Sequence, residues 1–393
     1  MKSIRPCPVC RSIESNLLYR QSFEQLSQAR LLDGYDVVAC LDCGAAFASG
    51  IPEQEVFDQY YRDLSKYDDR DRPTEEARKI EPRFHSIADL LTRFIPDFDS
   101  RVLEIGSASG GLLRALRERA FRNVSGSDPS PACVRAAQEL HGIPTGAGTV
   151  FTVPRPQVPY DFLVLVGVME HIRDLDRAVQ RFHELLRSGG RVYLEVPDAS
   201  RYTPRQDAPF QEFSVEHVNF FSPQSLVNLM QARGFRVIDA GRIARPQHEI
   251  TCPATYAVFE ESPDSAPIER DVETESALRA YIEGCRAEDE RVRKLIREAA
   301  APGEGLIVWG VGAHTLRLLA TGGLDPAHIS LFVDSNPNYQ RQELCGVPVA
   351  SPAALQDRRG PILISSCSSQ NAIHKQLRES MGLRNPVILL YGQ

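Results

Sequence analysis

The sequence has no apolar run long enough to cross a bilayer; its longest strand-like ones are FLVLVGVM and ILISS. It also lacks an excess of positive charge. The formal net charge is −7, which argues against a general affinity for nucleic acid or for an anionic membrane. The opening MKSIRPCPVC carries no long apolar segment of the kind that directs secretion, so a cytoplasmic protein is expected. No solenoid-like repeat recurs along the chain. What remains is a soluble composition, 42% hydrophobic and 25% charged, spread over 393 residues. That length exceeds one ordinary core and predicts two or three domains.

Three regions can be marked. Residues 1–70 hold two cysteine pairs and an aromatic, charged stretch. Residues 75–260 alternate strand-like and helix-like segments: RVLEIG, GGLLRALRERAF, NVSGSD, PACVRAAQEL, YDFLVLVGV, LDRAVQRFHELLRSGG and RVYLEVP. Repeated β-α units of this length predict an α/β fold with a parallel, doubly wound sheet. ESPDSAP reads as a linker, and residues 268–393 bring a long charged helix followed by a second β-α series.

In a reducing compartment the nine cysteines are expected to be free thiols. Cys7 and Cys10 form one C-x-x-C pair, Cys40 and Cys43 another. Two such turns offer four thiolates to one cation, the donor set of a closed structural zinc site. Gly44 suits the turn after the second pair. The first 50 residues carry as many acidic as basic side chains, so a nucleic-acid-binding zinc ribbon is disfavoured. Cys133, Cys252, Cys285, Cys345 and Cys367 lack ligand spacing and read as small core residues.

VLEIGSASGGLL sets an acid at a strand end, then a loop of small residues, then a helix. Such a loop lets the backbone approach a ligand at the carboxyl edge of a sheet. Glu104 would repel a pyrophosphate and suits a cationic or zwitterionic ligand. Asp128 ends the next strand, where a carboxylate can take two ribose hydroxyls. The pattern resembles the first motifs of class I S-adenosylmethionine-dependent methyltransferases, with Ala108 at one glycine position. Glu104, Gly106, Ser107, Gly110 and Asp128 are then the expected cofactor residues.

VGVMEHIRDL presents His171 at the end of the fourth strand, and SVEHVNFFSP places Glu216 and His217 just ahead of a helix capped by Ser222 and Pro223. This stretch is expected to be a loop above the same sheet edge, with Phe220 and Phe221 as an apolar wall. An imidazole there suits removal of a proton near neutral pH.

The order of cysteine pairs, methyltransferase motifs, E-H-x-x-[YF]-F-S and a second Rossmann-like domain resembles the sugar C-methyltransferases that act on nucleotide-linked 4-keto-deoxysugars. The resemblance implies His217 as the base that forms an enolate, with Glu216, His171 and Tyr67 supporting it; Tyr60 and Tyr61 are alternatives to Tyr67. It implies S-adenosylmethionine and structural zinc as cofactors and a small-molecule acceptor, in a monomer. It assigns the C-terminal domain to one wall of the cleft. Two positions depart from the family: Ser214 stands for a tyrosine and Gly167 for an asparagine. The rival readings are an O- or N-methyltransferase, a non-catalytic zinc- and S-adenosylmethionine-binding regulator, and a nicotinamide-dependent dehydrogenase. The last rests on Gly310, Gly312 and Asp334 in VWGVGAHTLRLL…ISLFVDS, a fingerprint whose third glycine is Thr315.

Overall fold

The computed structural model describes residues 5–24, 31–63, 82–203, 208–247, 250–264, 266–299, 305–321 and 323–391. Strands β1 (Ser15–Ser22), β2 (Gly34–Cys40) and β3 (Ala46–Ser49) form an antiparallel meander, and helix α1 (Gln54–Asp63) follows. The turn from β2 to β3 holds Cys40 and Cys43. Gly44 within it has φ +77°, and a Cβ there would lie 2.0 Å from the Asp271 carbonyl oxygen, so only glycine fits.

The central part runs α2 (Pro82–Leu91), β4 (Arg101–Ile105), α3 (Gly111–Glu118), β5 (Asn123–Asp128), α4 (Pro131–His141), β6 (Thr145–Ala147), β7 (Tyr160–Val166), α5 (Leu175–Leu185) and β8 (Leu186–Pro197). The apolar runs of β4 and β7 become inner strands because both of their faces are covered. Start and stop signals act locally. Ser130 caps α4 by accepting from the Cys133 amide, with Pro131 in the first turn and left-handed Gly142 at the end. The expected helix through LDRAVQRFHELLRSGG stops at Leu185 instead. Leu186 already begins β8, and Gly189 (φ +68°) bends the strand and caps no helix.

Next come β9 (Asn219–Phe220), α6 (Pro223–Gln231), and a long hairpin of β10 (Phe235–Gln247) and β11 (Ile250–Glu261). The seven-stranded sheet has the order β6-β5-β4-β7-β8-β11-β10, with every strand running the same way except β11, which is antiparallel to β8 and β10. Strand β9 belongs elsewhere: it pairs antiparallel with β3 as the fourth strand of the N-terminal sheet. The stretch expected to be a loop therefore ends in a strand. Phe220 is fully buried against Phe213 and Tyr35, a burial that stabilises by about 1.5–3 kcal/mol.

After α7 (Thr274–Ala299) come β12 (Leu306–Trp309), α8 (Ala313–Ala320), β13 (Ile329–Val333), β14 (Glu343–Leu344), β15 (Val347–Ala350), β16 (Ile362–Ile364), α9 (Gln370–Lys375) and β17 (Val387–Leu389). They build a six-stranded sheet, β14-β15-β13-β12-β16-β17, parallel except for β14. Its link to the rest is mixed. Leu278, Tyr281 and Cys285 of α7 share a core with Phe210 and Phe213. Arg317 pairs with Asp289 and lays its guanidinium over the Phe210 ring, 5.0 Å from the centroid. Among the described residues no helix is long and apolar enough to cross a membrane.

Candidate active site and thiol cluster

A cavity of about 650 Å³ lies at the carboxyl edge of the seven-stranded sheet. Its floor is the turn from β4 to α3. Gly106 has φ +76°, and a Cβ there would meet Val168 at 2.5 Å. Ala108 takes the left-handed conformation (φ +44°) that its glycine counterpart would hold without strain. Gly110 (φ +80°) does not line the cavity; it caps α3. Glu104, Gly106, Ser107 and Asp128 do line it.

Asp128 is already engaged by the backbone. Its Oδ2 accepts from the Ala108 amide and its Oδ1 from the Ser130 amide, both at 2.9 Å. A carboxylate offers about four acceptor sites, so two backbone bonds alone do not exhaust it. Glu104 is 3% exposed. Burial, and then the charge of Asp128, push its carboxyl well above the usual carboxylate range. Glu104 Oε2 and Ser107 Oγ have no hydrogen-bond partner among the described residues. An orphaned carboxylate oxygen and hydroxyl on a cavity wall fit a ligand that brings a positive charge and donors, as a zwitterionic sulfonium nucleoside does.

The opposite end carries Glu170, His171, His217 and Arg245. Glu170 and His171 sit in a short 3-10 turn after β7, and Glu170 is 3% exposed. Burial raises the Glu170 carboxyl, an effect opposed by His171. His171 Nδ1 lies 3.1 Å from the Glu216 carbonyl oxygen and 2.8 Å from the Tyr61 hydroxyl. A carbonyl only accepts, so Nδ1 carries a proton and the neutral ring keeps its lone pair on Nε2. That nitrogen is 3.9 Å from Glu170 Oε1. The rings of His171 and His217 meet edge to face, 4.9 Å between centroids. One ligand atom each of Glu170, His171 and His217 falls within 4.8 Å of the others.

Asn219 ties the two histidine segments together. Its Nδ2 donates to the Met169 and Ile172 carbonyls at 2.8 and 2.7 Å, while its Oδ1 accepts from Arg5 at 2.9 Å. Burial lowers that arginine to about 9. Sequence reasoning missed Asn219, Arg5, Glu170 and Arg245; only Glu170 carried a signal, as the residue beside His171.

Tyr67 lies outside the described residues. Helix α1 puts Tyr61 on the cavity wall, and Tyr60 donates to Glu216 Oε1 at 3.1 Å. Other expectations are corrected. The Glu216 carboxylate faces Tyr60, and Glu216 does not line the cavity. Phe220 and Phe221 do not line it either: Phe220 is buried in the core with Tyr35 and Phe213, and Phe221, the residue after β9, in the separate core that holds Met169 and Leu226. Among the described residues the lining reaches no further than Ala254, so the C-terminal sheet forms no part of it; α7 packs against the 208–214 segment, which does. Cys252 lines the cavity and Cys345 is exposed, so neither is a core residue.

The four paired cysteines converge. Cys7 Sγ is 3.5 Å from Cys43 Sγ, Cys10 Sγ is 3.4 Å from Cys40 Sγ, and all four fall within 4.8 Å of one another. Tetrahedral thiolates around one zinc stand about 3.8 Å apart at the usual Zn–S length, so the donor set and the spacing fit. The hydrogen bond from Cys43 draws the Cys7 thiol down to about 5, and burial pushes Cys10 up to about 11. Arg233 donates to the carbonyls of Pro8 and Val9 and fixes the first turn.

In the C-terminal sheet Asp334 accepts from the amides of Val311 (2.9 Å) and Asn336 (2.8 Å). Thr315, at the position of the third glycine, is fully buried and bonded to the Gly310 carbonyl and to Ser365. A hydroxyl so engaged favours a structural turn over a pyrophosphate site.

Residues 80–240 match the family model described as "Methyltransferase domain". The C-methyltransferase NovU of Streptomyces niveus is 26% identical over 339 residues, covering 81% of this chain and 76% of that protein. A ubiquinone biosynthesis O-methyltransferase of Xylella fastidiosa is 26% identical over 115 residues, covering 28% of this chain and 46% of that one. Among solved structures, 1,6-didemethyltoxoflavin-N1-methyltransferase of Burkholderia thailandensis aligns at TM-score 0.41 and 21% identity, over 56% of this chain and 97% of that one.

Proposed function

We propose that this S-adenosylmethionine-dependent methyltransferase places its methyl group on a carbon next to a ketone, in a nucleotide-linked deoxysugar. The observation that carries the reading is the pair of imidazoles 4.9 Å apart on the wall of the cavity that also holds the Gly106–Ser109 turn and Asp128. The 26% identity to a C-methyltransferase over 81% of the chain favours the same reading.

Glu104 and Ser107 would hold the amino-acid end of S-adenosylmethionine and Asp128 its ribose. His217 takes the α-hydrogen of the acceptor as a proton, and the electron pair moves into an enolate. His171 and Tyr61 hold the acceptor, and Glu216, bonded to Tyr60, fixes the histidine loop. S-adenosylmethionine, when bound, supplies an electrophilic methyl that the enolate carbon takes as the S–CH3 bond breaks. The cavity keeps bulk water from the enolate. Cys7, Cys10, Cys40 and Cys43 hold a structural zinc, which takes no part in the reaction because its shell is closed. The C-terminal sheet serves as structural support, its Gly310–Thr315 turn being closed by the Thr315 hydroxyl.

The experiment is incubation with a nucleoside-diphosphate 4-keto-deoxyhexose and S-adenosylmethionine. The expected product carries a new C-methyl and has lost its α-hydrogen, read by NMR. A methyl on oxygen with the α-hydrogen retained would assign O-transfer, and no S-adenosylhomocysteine with any sugar nucleotide would remove the reading.

A further inference from the structure

The hairpin of β10 and β11 runs beyond its support on β8 and brings Arg245, opposite Cys252, over the acceptor end of the cavity. The Arg245 side chain is 13% exposed and is held on one edge only: Nε and Nη2 donate to Glu195 Oε1 at 2.9 and 2.6 Å. Tyr193 in turn donates to Glu195 Oε2 at 2.6 Å. The remaining nitrogen, Nη1, faces Gly167. A Cβ on Gly167 would lie 3.5 Å from Nη1 and 3.5 Å from Glu170 Oε1, so the absence of a side chain there leaves the guanidinium edge open between β7 and the hairpin.

A guanidinium does not give up its proton, so Arg245 is no base; it can only donate. His217 removes a proton, and the charge left behind develops on the acceptor's oxygen. The other arginine on the cavity wall, Arg83, acts on Glu104 at the cofactor end. Arg245 is the cation placed where the new charge forms, and Glu195 makes its burial affordable. Glu170 lies near the same edge, and its charge and that of Arg245 favour each other.

We infer that Arg245 is the oxyanion donor of the acceptor site, hydrogen-bonding the acceptor's ketone oxygen through Nη1 and stabilising it as the enolate, with Glu195 and Tyr193 as its positioning residues. This rests on the C-methylation reading. The acceptor's ketone would then lie toward the hairpin, with its α-carbon toward His217.

The test uses the full chain, S-adenosylhomocysteine and a nucleoside-diphosphate 4-keto-6-deoxyhexose in heavy water, following exchange of the α-hydrogen by NMR. R245A is expected to lower exchange by about 10²–10³-fold, as loss of an oxyanion donor does, with S-adenosylmethionine affinity by calorimetry unchanged. Millimolar guanidinium should restore part of the exchange in R245A and add nothing to wild type. R245K, which keeps the charge without the planar fork, should fall between the two. Exchange at the wild-type rate in R245A overturns the role, and so does a loss that guanidinium does not rescue, which would mark a purely structural arginine. Exchange absent in wild type itself would remove the C-methylation reading, and this role with it; exchange in wild type that survives in R245A removes this role alone.

Discussion

Phe220 pairs with Ala46 across β9 and β3, so the strand that begins two residues after His217 is held by the strand that leaves the cysteine cluster. The N-terminal sheet is thereby part of the scaffold of the candidate base. Purified protein is expected to contain about one zinc per chain, seen by elemental analysis. Stripping it should slow turnover more than it weakens S-adenosylmethionine: Cys7, Cys40 and Cys43 share the core on one face of the seven-stranded sheet, but the core under the cofactor turn, with Leu112, Leu113 and Leu116, holds none of them. Equal loss of both would show that the cluster does not act through β9.

The two histidines differ in what holds them, and their variants should differ as well. His217→Asn is expected to cut turnover by about 10²–10⁴-fold and leave cofactor affinity intact. His171→Asn should be milder and raise KM, since its Nδ1 proton is committed to Glu216 and Tyr61. Steady-state kinetics on both variants decide it; near-normal turnover in His217→Asn would transfer the role of base to His171 Nε2.

Glu104 makes cofactor binding depend on pH. Its carboxyl is raised in the folded protein by burial and by Asp128. Between the ordinary carboxylate range and that raised value, the folded protein keeps a proton the unfolded chain has lost. Stability therefore falls as pH rises through this window. Binding of a cation to Glu104 needs the ionised form, so affinity for S-adenosylmethionine should climb over the same window, with proton release seen by calorimetry in two buffers. Glu104→Gln should flatten both slopes and weaken the cofactor at neutral pH.

Ala108→Gly is expected to stabilise the protein by about 0.5–1 kcal/mol, since it relieves a left-handed alanine. Gly106→Ala should do the reverse, because its Cβ would meet Val168 at 2.5 Å. Denaturant unfolding reads both changes.

Asp128→Ala should weaken S-adenosylmethionine by about 1–3 kcal/mol through lost charge-assisted bonds. It should also lower the melting temperature, since the amides of Ala108 and Ser130 lose their acceptor. Unaltered stability would mean that the carboxylate serves the ligand alone.

The alternating strands and helices of the central region were legible because buried parallel strands read as unbroken apolar runs, and Ser222-Pro223 marked the helix that follows His217. The two-residue pairing of β9 was not: its partner lies over 170 residues away, and no periodicity exists in two residues. The glycines after Leu185 resemble a helix stop, yet serve a bent strand. Arg245 sits in a stretch, GRIARPQHEITCP, without clear alternation, and its partner Glu195 is on another strand, so no local pattern singles it out. The expectation that Phe220 and Phe221 wall the site failed because the two rings enter separate cores, Phe220 from the end of β9 and Phe221 from the residue after it.

The overhang of the hairpin sets the stiffness of one cavity wall. Strand β11 is backed by β8 only from Ala254 to Glu260, and the Asp198 amide adds one more bond to Pro253. Beyond that point the ribbon is two strands wide and clamped along a single edge, and such a ribbon bends more readily than the sheet it grows from. Opening this wall would require releasing Arg245 from Glu195 while leaving the cofactor's half of the cavity undisturbed.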